Sequence, residues 1–173
     1  MESMKIVLLC IMAAVVYGIL HDQVTARICV EYFTIGHPPL LHTDSPTLLG
    51  FGWGTVGTWW VGLALGVPAA LVSRLGPWPK FNAAQLVRPI GYLQLSTAWI
   101  SLLAGIAVYF LAKAGVVRLG GSLGLAIPSD KHVAFLVDGA ANLAAYAKGV
   151  VGGLVLCLRV WIRRQQMAIE RQR

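Results

Sequence analysis

Between Asp44 and Arg74 the chain runs for 29 residues without a charged side chain. An α-helix rises 1.5 Å per residue, so this run can cross a hydrocarbon core about 30 Å thick, with length left for tilt. Three other stretches behave similarly. Ile6 to Leu20 holds 15 uncharged residues and reaches spanning length when Ser3–Lys5 and a turn beyond His21 are added. Pro89 to Ala112 holds 24. The last is ambiguous, because only ten uncharged residues separate Lys148 from Arg159. It spans only if extended back to His132 or Val133, taking in Asp138, Asn142 and Lys148. Charged residues are 12% of the chain against about a quarter in soluble domains. The expectation is all-α: a single membrane domain over 1–173, a bundle of four transmembrane helices at 4–23 (extended to 34), 46–75, 89–112 and 131–162.

The ends of these runs carry recognisable signals. Asp44 or Ser45 suits a cap before Pro46, and Pro89 opens the third span in the same manner. Pro68 should kink the second span or loosen its last turns. VVYGILHDQ lacks the small-x-small pattern of a cleavage site, so the first span reads as an uncleaved anchor. A net charge of +7 would suggest nucleic acid in a soluble protein. Here the charges flank apolar runs, so no nucleic-acid partner is expected. Arg74, Lys80 and Arg88 follow the second span; Arg159, Arg163, Arg164, Arg171 and Arg173 follow the fourth. The positive-inside rule then places both termini in the cytoplasm of a bacterial inner (plasma) membrane. Trp78 and Trp161 would anchor the cytoplasmic interface, and Tyr17, Trp53 and Tyr109 the outer one. Trp59, Trp60 and Trp99 lie deeper and read as packing.

Lipid gives helices no hydrophobic reason to associate, so small residues must allow close backbone approach. Gly50, Gly54, Thr58, Gly62, Gly66 and Ala70 recur every four residues. Thr97, Ser101 and Gly105, and Ala141, Ala145, Gly149 and Gly153, repeat the pattern. A compact bundle follows.

Residues 21 to 44 hold three of the four histidines and three of the seven acids. Val24, Ile28 and Tyr32 share one helical face, and Arg27 with Glu31 forms an i,i+4 pair on another. Gly36-His37-Pro38-Pro39 must end the helix. Three arrangements remain open: a metal site from His21, His37, His42 and Asp44 with nearby carboxylates; a polar pocket using Arg27, Glu31 and the fourth helix; or a wetted cap. Lys148 would lie near mid-bilayer, where a charge is costly, so it needs a partner, a cavity or an outward path. Asp138 is expected near the outer interface. The candidate polar cluster is His21, Asp22, Arg27, Glu31, His37, Asp138, Asn142 and Lys148, with a Lys148–Glu31 contact as its decisive test. Cys10, Cys29 and Cys157 form no CxxC motif, and no nucleotide loop, HExxH or GxSxG appears.

The segment HDQVTARICVEYFTIGHPP, followed by GWGTVGTWWVGLALGVP, resembles a group of uncharacterised bacterial four-pass inner-membrane proteins over roughly residues 21 to 70. The resemblance implies location and brings no activity or cofactor. Without a recognisable nucleophile or ligand spacing, the expected role is a non-enzymatic binding or accessory component, in a bilayer and beside a membrane-protein partner or a second copy. The alternative is a small membrane enzyme or transporter whose polar site lies in the outer half of the bundle.

Overall fold

The computed structural model describes residues 1–39 and 41–172; Arg173, counted above with the basic tail, lies outside them. The described residues are helical throughout, without strands. α1 (Glu2–Ile28) breaks at Cys29, whose backbone is extended, and α2 (Val30–Thr34) completes the first arm. α3 (Pro46–Val56) and α4 (Trp59–Arg74) make up the second, α5 (Ala83–Lys113) the third. After α6 (Gly121–Ala126) and a 3₁₀ turn at Ser129–Lys131, α7 (His132–Gln172) forms the fourth. Four helical stretches are long and apolar enough to cross a membrane: Glu2–Ile28, Pro46–Arg74, Ala83–Lys113 and Ser129–Gln172.

Several boundaries differ from the sequence expectation, for local reasons. The first helix does not run unbroken to 34, because Cys29 leaves the helical region. The third begins at Ala83, six residues before Pro89. There Asn82 and Gln85 form a reciprocal capping box, with side-chain bonds of 2.8 and 3.1 Å, that supersedes the proline signal. The second span breaks at Gly57–Thr58 and continues through Pro68.

The bundle is inverted relative to a soluble core. Leu8, Met12, Val16, Leu20, Val24 and Ile28 form an exposed apolar stripe along α1. Trp59, Trp60 and Trp99, expected inside, also face outward. Small residues fill the interior instead. A Cβ on Gly54 would lie 2.5 Å from the Ile19 backbone nitrogen, and one on Gly62 would lie 2.6 Å from the Ile11 Cα. A Cβ on Gly18 would strike the Gly54 carbonyl and the Thr58 side chain. On the other side, Ser101 of α5 donates to the Ala141 carbonyl of α7 at 2.8 Å, with Gly105 facing Val137 and Ala141.

The first residues of α1, the 75–82 loop and the late turns of α7 share one end. The Ala83 N–H donates to the Glu2 carboxylate at 3.4 Å, and Trp78 packs edge-on against Trp161 at 4.5 Å between ring centres. Arg164 ties this end together. It is completely buried, and its guanidinium donates to the carbonyls of Pro79 (2.7 Å), Leu75 (2.8 Å), Trp78 (3.2 Å) and Val72. The carbonyls at the α4 C-terminus, unsatisfied within their helix, thus meet a planar cation. Its neighbour Arg163 is exposed, 3.7 Å from Glu170.

Two outcomes test this packing by thermal unfolding in mild detergent. Gly54→Leu should destabilise by at least about 1–3 kcal/mol, since backbone faces the added side chain. Arg164→Lys keeps the charge but loses the fork and should cost about 2 kcal/mol or more through unsatisfied carbonyls. Arg163→Lys should be neutral.

Candidate functional site

Two apolar zones close the ends of the bundle. Ile6, Ala69, Ala70, Leu86, Ile90 and Val160 pack at the termini end. Ala26, Phe33 and Leu49, with Cys29, Ile127 and Phe135, pack at the far end. Between them lies a largely apolar chamber of about 120 Å³ bounded by α1, α4, α5 and α7, with a few polar side chains in its wall. Tyr17, His21, Asp22, Gln94, Asn142 and Tyr146 supply its polar wall.

The break in the second span sits on this chamber. Thr58, at the break, lines it and donates its hydroxyl to the Gly54 carbonyl at 2.5 Å. The Tyr146 hydroxyl crosses from α7 to donate to the Gly57 carbonyl at 3.0 Å. Interrupted helices at membrane depth are tolerated where side chains re-satisfy the backbone and the segment lines a cavity. Gln94 donates to the Ala13 carbonyl of α1, fixing another wall.

Several polar atoms are buried without a partner among the described residues: Tyr17 Oη, His21 Nε2 and both carboxyl oxygens of Asp138. The Tyr17 and His21 rings stack at 5.7 Å. Asp22 is 7% exposed, and Asp138, expected near the outer interface, is wholly enclosed. Asp138 stands one turn before Asn142, whose amide donates to the Asp138 carbonyl at 3.0 Å. His21, Asp22 and Asn142 meet at one chamber, and Asp138 is not among its lining residues.

The other candidates lie elsewhere. Arg27 does not pair with Glu31. It donates to Gln23 and to the Thr47 hydroxyl of α3 (2.8 Å), while Glu31 accepts from the Cys29 thiol at 3.4 Å and faces Lys131 at 4.0 Å. α3 supplies the nearer partner for Arg27, and the break at Cys29 turns Glu31 away from the α1 face. Lys148 makes no ion pair among the described residues. Its ammonium lies along α7 toward Gly152, so the Lys148–Glu31 contact is not formed. His37 belongs to an aromatic cluster with Tyr32, Phe33 and Trp53. Its Nδ1 lies 2.8 Å from the Tyr32 carbonyl, which requires a proton on that nitrogen. His42 and Asp44 are exposed. Among the described residues no three His, Cys, Asp or Glu side chains converge on a metal position, so His21, His37, His42 and Asp44 do not form the candidate centre.

Tyr17, Gln94 and Tyr146 escaped the sequence reading, because each also fits an ordinary membrane helix. The signal available was a pair of polar groups four residues apart on one helix face: Tyr17 before His21, and Tyr146 after Asn142.

No family model, curated protein or solved structure matches the chain. The chamber's own chemistry is what indicates its use.

Cys29 gives this region a pH signature. Burial pushes its thiol from near 9 up to about 12, with Glu31 and Asp138 adding to the rise. Tyr32 is raised from 10 to about 12, chiefly by burial. The folded chain therefore holds these protons more tightly than the unfolded chain, and stability falls as pH rises from about 9 toward 12. The thermal midpoint should drop between pH 8 and 10, less so in Cys29→Ala. Cys29 should also resist maleimide at pH 8 until the protein is denatured, since the thiolate is the reactive form.

Proposed function

We propose that this chain is a four-pass inner-membrane protein with both termini in the cytosol, acting by binding, as an accessory or carrier component, with the chamber as its ligand site. One observation carries the reading: the second arm is interrupted at Gly57–Thr58, and Thr58 there borders an internal cavity that also holds His21, Asp22 and Asn142. Discontinuous helices at mid-membrane are a recurrent way of building ligand sites inside bundles. Tyr17 Oη and His21 Nε2, both without partners, supply groups that a ligand can satisfy. The basic residues at the termini end, Lys5, Arg74, Lys80, Arg88 and the α7 tail, support the orientation.

Transport is the second reading, favoured by two buried carboxyls, Asp22 of α1 and Asp138 of α7, within helices of spanning length. Ionisable groups inside a membrane commonly mark ion or substrate paths.

Mass spectrometry of the protein extracted in mild detergent should find a small molecule retained by wild type and lost from Asn142→Leu, which replaces a polar group of the chamber wall by an apolar one of similar shape. A wild-type preparation free of any such molecule, with a thermal midpoint matching Asn142→Leu, overturns the binding reading. In intact cells, Ser122→Cys should react with an impermeant maleimide and Lys80→Cys should not; the reverse pattern rejects the orientation. Ligand flux into proteoliposomes would select the transporter.

A further inference from the structure

A second cavity adjoins the chamber. A groove of about 870 Å³ runs between α1, α5 and α7, walled by Leu20, Val24, Ile28, Leu102, Ile106 and Phe110. Along α5 it extends from Ala98 to Lys113, about 22 Å at 1.5 Å per residue. That exceeds the roughly 15 Å half-thickness of a hydrocarbon core. Lys113 and Asp130 stand at its far-end mouth. At its deep end Tyr17 and His21 line both spaces, so their stacked rings form the wall between groove and chamber.

Both spaces are mostly apolar, and the length of the groove suits a hydrocarbon tail. The chamber is lined by the Asp22 carboxylate, and no Lys or Arg lines it among the described residues. An anionic head would find no cation there to pair with, whereas an ammonium can donate to the Asp22 carboxyl and to the neighbouring Asn142 and His21 side chains. A plain hydrocarbon tail reaching this depth would leave Tyr17 Oη and His21 Nε2 unsatisfied.

We propose that groove and chamber together bind a lipophilic amine, its ammonium head against Asp22 and its alkyl tail along α5, entering sideways from the bilayer past Tyr17 and His21. This rests on the chamber being a ligand site and adds the ligand's class and route. The test uses the full chain in neutral phosphatidylcholine nanodiscs, titrated with n-octylammonium, n-octanol and n-octanoate and read by thermal unfolding. Octylammonium should bind at least roughly tenfold more tightly than octanol, the size of one charge-assisted hydrogen bond, and octanoate should not compete. Asp22→Asn should abolish the preference for the amine. Leu102→Trp, which fills the groove, should weaken amine and alcohol alike, while the outward-facing Leu143→Trp should change neither. Equal binding of amine and alcohol, unaltered in Asp22→Asn, overturns this inference but leaves the chamber as a ligand site. Binding indifferent to Leu102→Trp overturns the groove as the tail's path. Absence of binding by all three probes, with no retained molecule in the wild-type extract, removes both proposals. Should Asp22→Asn fail to fold, the ranking of the three probes on wild type decides alone.

Discussion

The close approach of α1 to the broken second arm is the contact on which the rest of this structure depends. Gly18 and Gly54 meet backbone to backbone, and Gly62 brings α4 against Ile11 and Cys10. Small residues at such contacts let two backbones approach closely enough for dispersion to act, which bulky side chains would prevent. The geometry has a consequence at Gly57–Thr58, where the arm changes from α3 to α4. Backbone groups released there are taken up by Thr58 and by Tyr146 from α7. The chamber is thus bordered by the same residues that allow the helices to pack.

Polarity is distributed to match. Large apolar side chains point outward, small ones line the helix contacts, and polar groups collect between the two apolar ends. Arg164 serves an analogous purpose at the termini end. Four loop and helix-end carbonyls surround a guanidinium with no carboxylate beside it among the described residues. A cation enclosed by carbonyl dipoles fixes the short loop between α4 and α5, and so the entry of α5 against α7. The chamber's walls are rigid at one end because of that loop, and closed at the other by the aromatic cluster around Tyr32, His37 and Phe135.

Some of the site was legible in the chain and some was not. His21, Asp22 and Asn142 are polar residues within otherwise apolar helices, and that alone singles them out. Lys148 and Glu31 stood out for the same reason yet do not meet. The break at Cys29 redirects Glu31 toward Lys131, and the half-buried Lys148 lies along α7 toward Gly152. Arg163 and Arg164 are equivalent in the sequence; the face of α7 that each occupies separates an exposed residue from a buried one. Pro68 lies within α4, whereas the interruption in the second arm falls at Gly57–Thr58, where Tyr146 donates to the Gly57 carbonyl.

Hydropathy and length, which are local properties, were enough to specify four helices of spanning length and their small-residue faces. Those properties act through the 1.5 Å rise and the chemistry of each run, and need no knowledge of neighbours. Which polar residues face one another, which arginine is enclosed and where an interrupted helix is tolerated were decided only by tertiary structure. Each depends on a partner from another helix, whose position follows from how closely two backbones can approach.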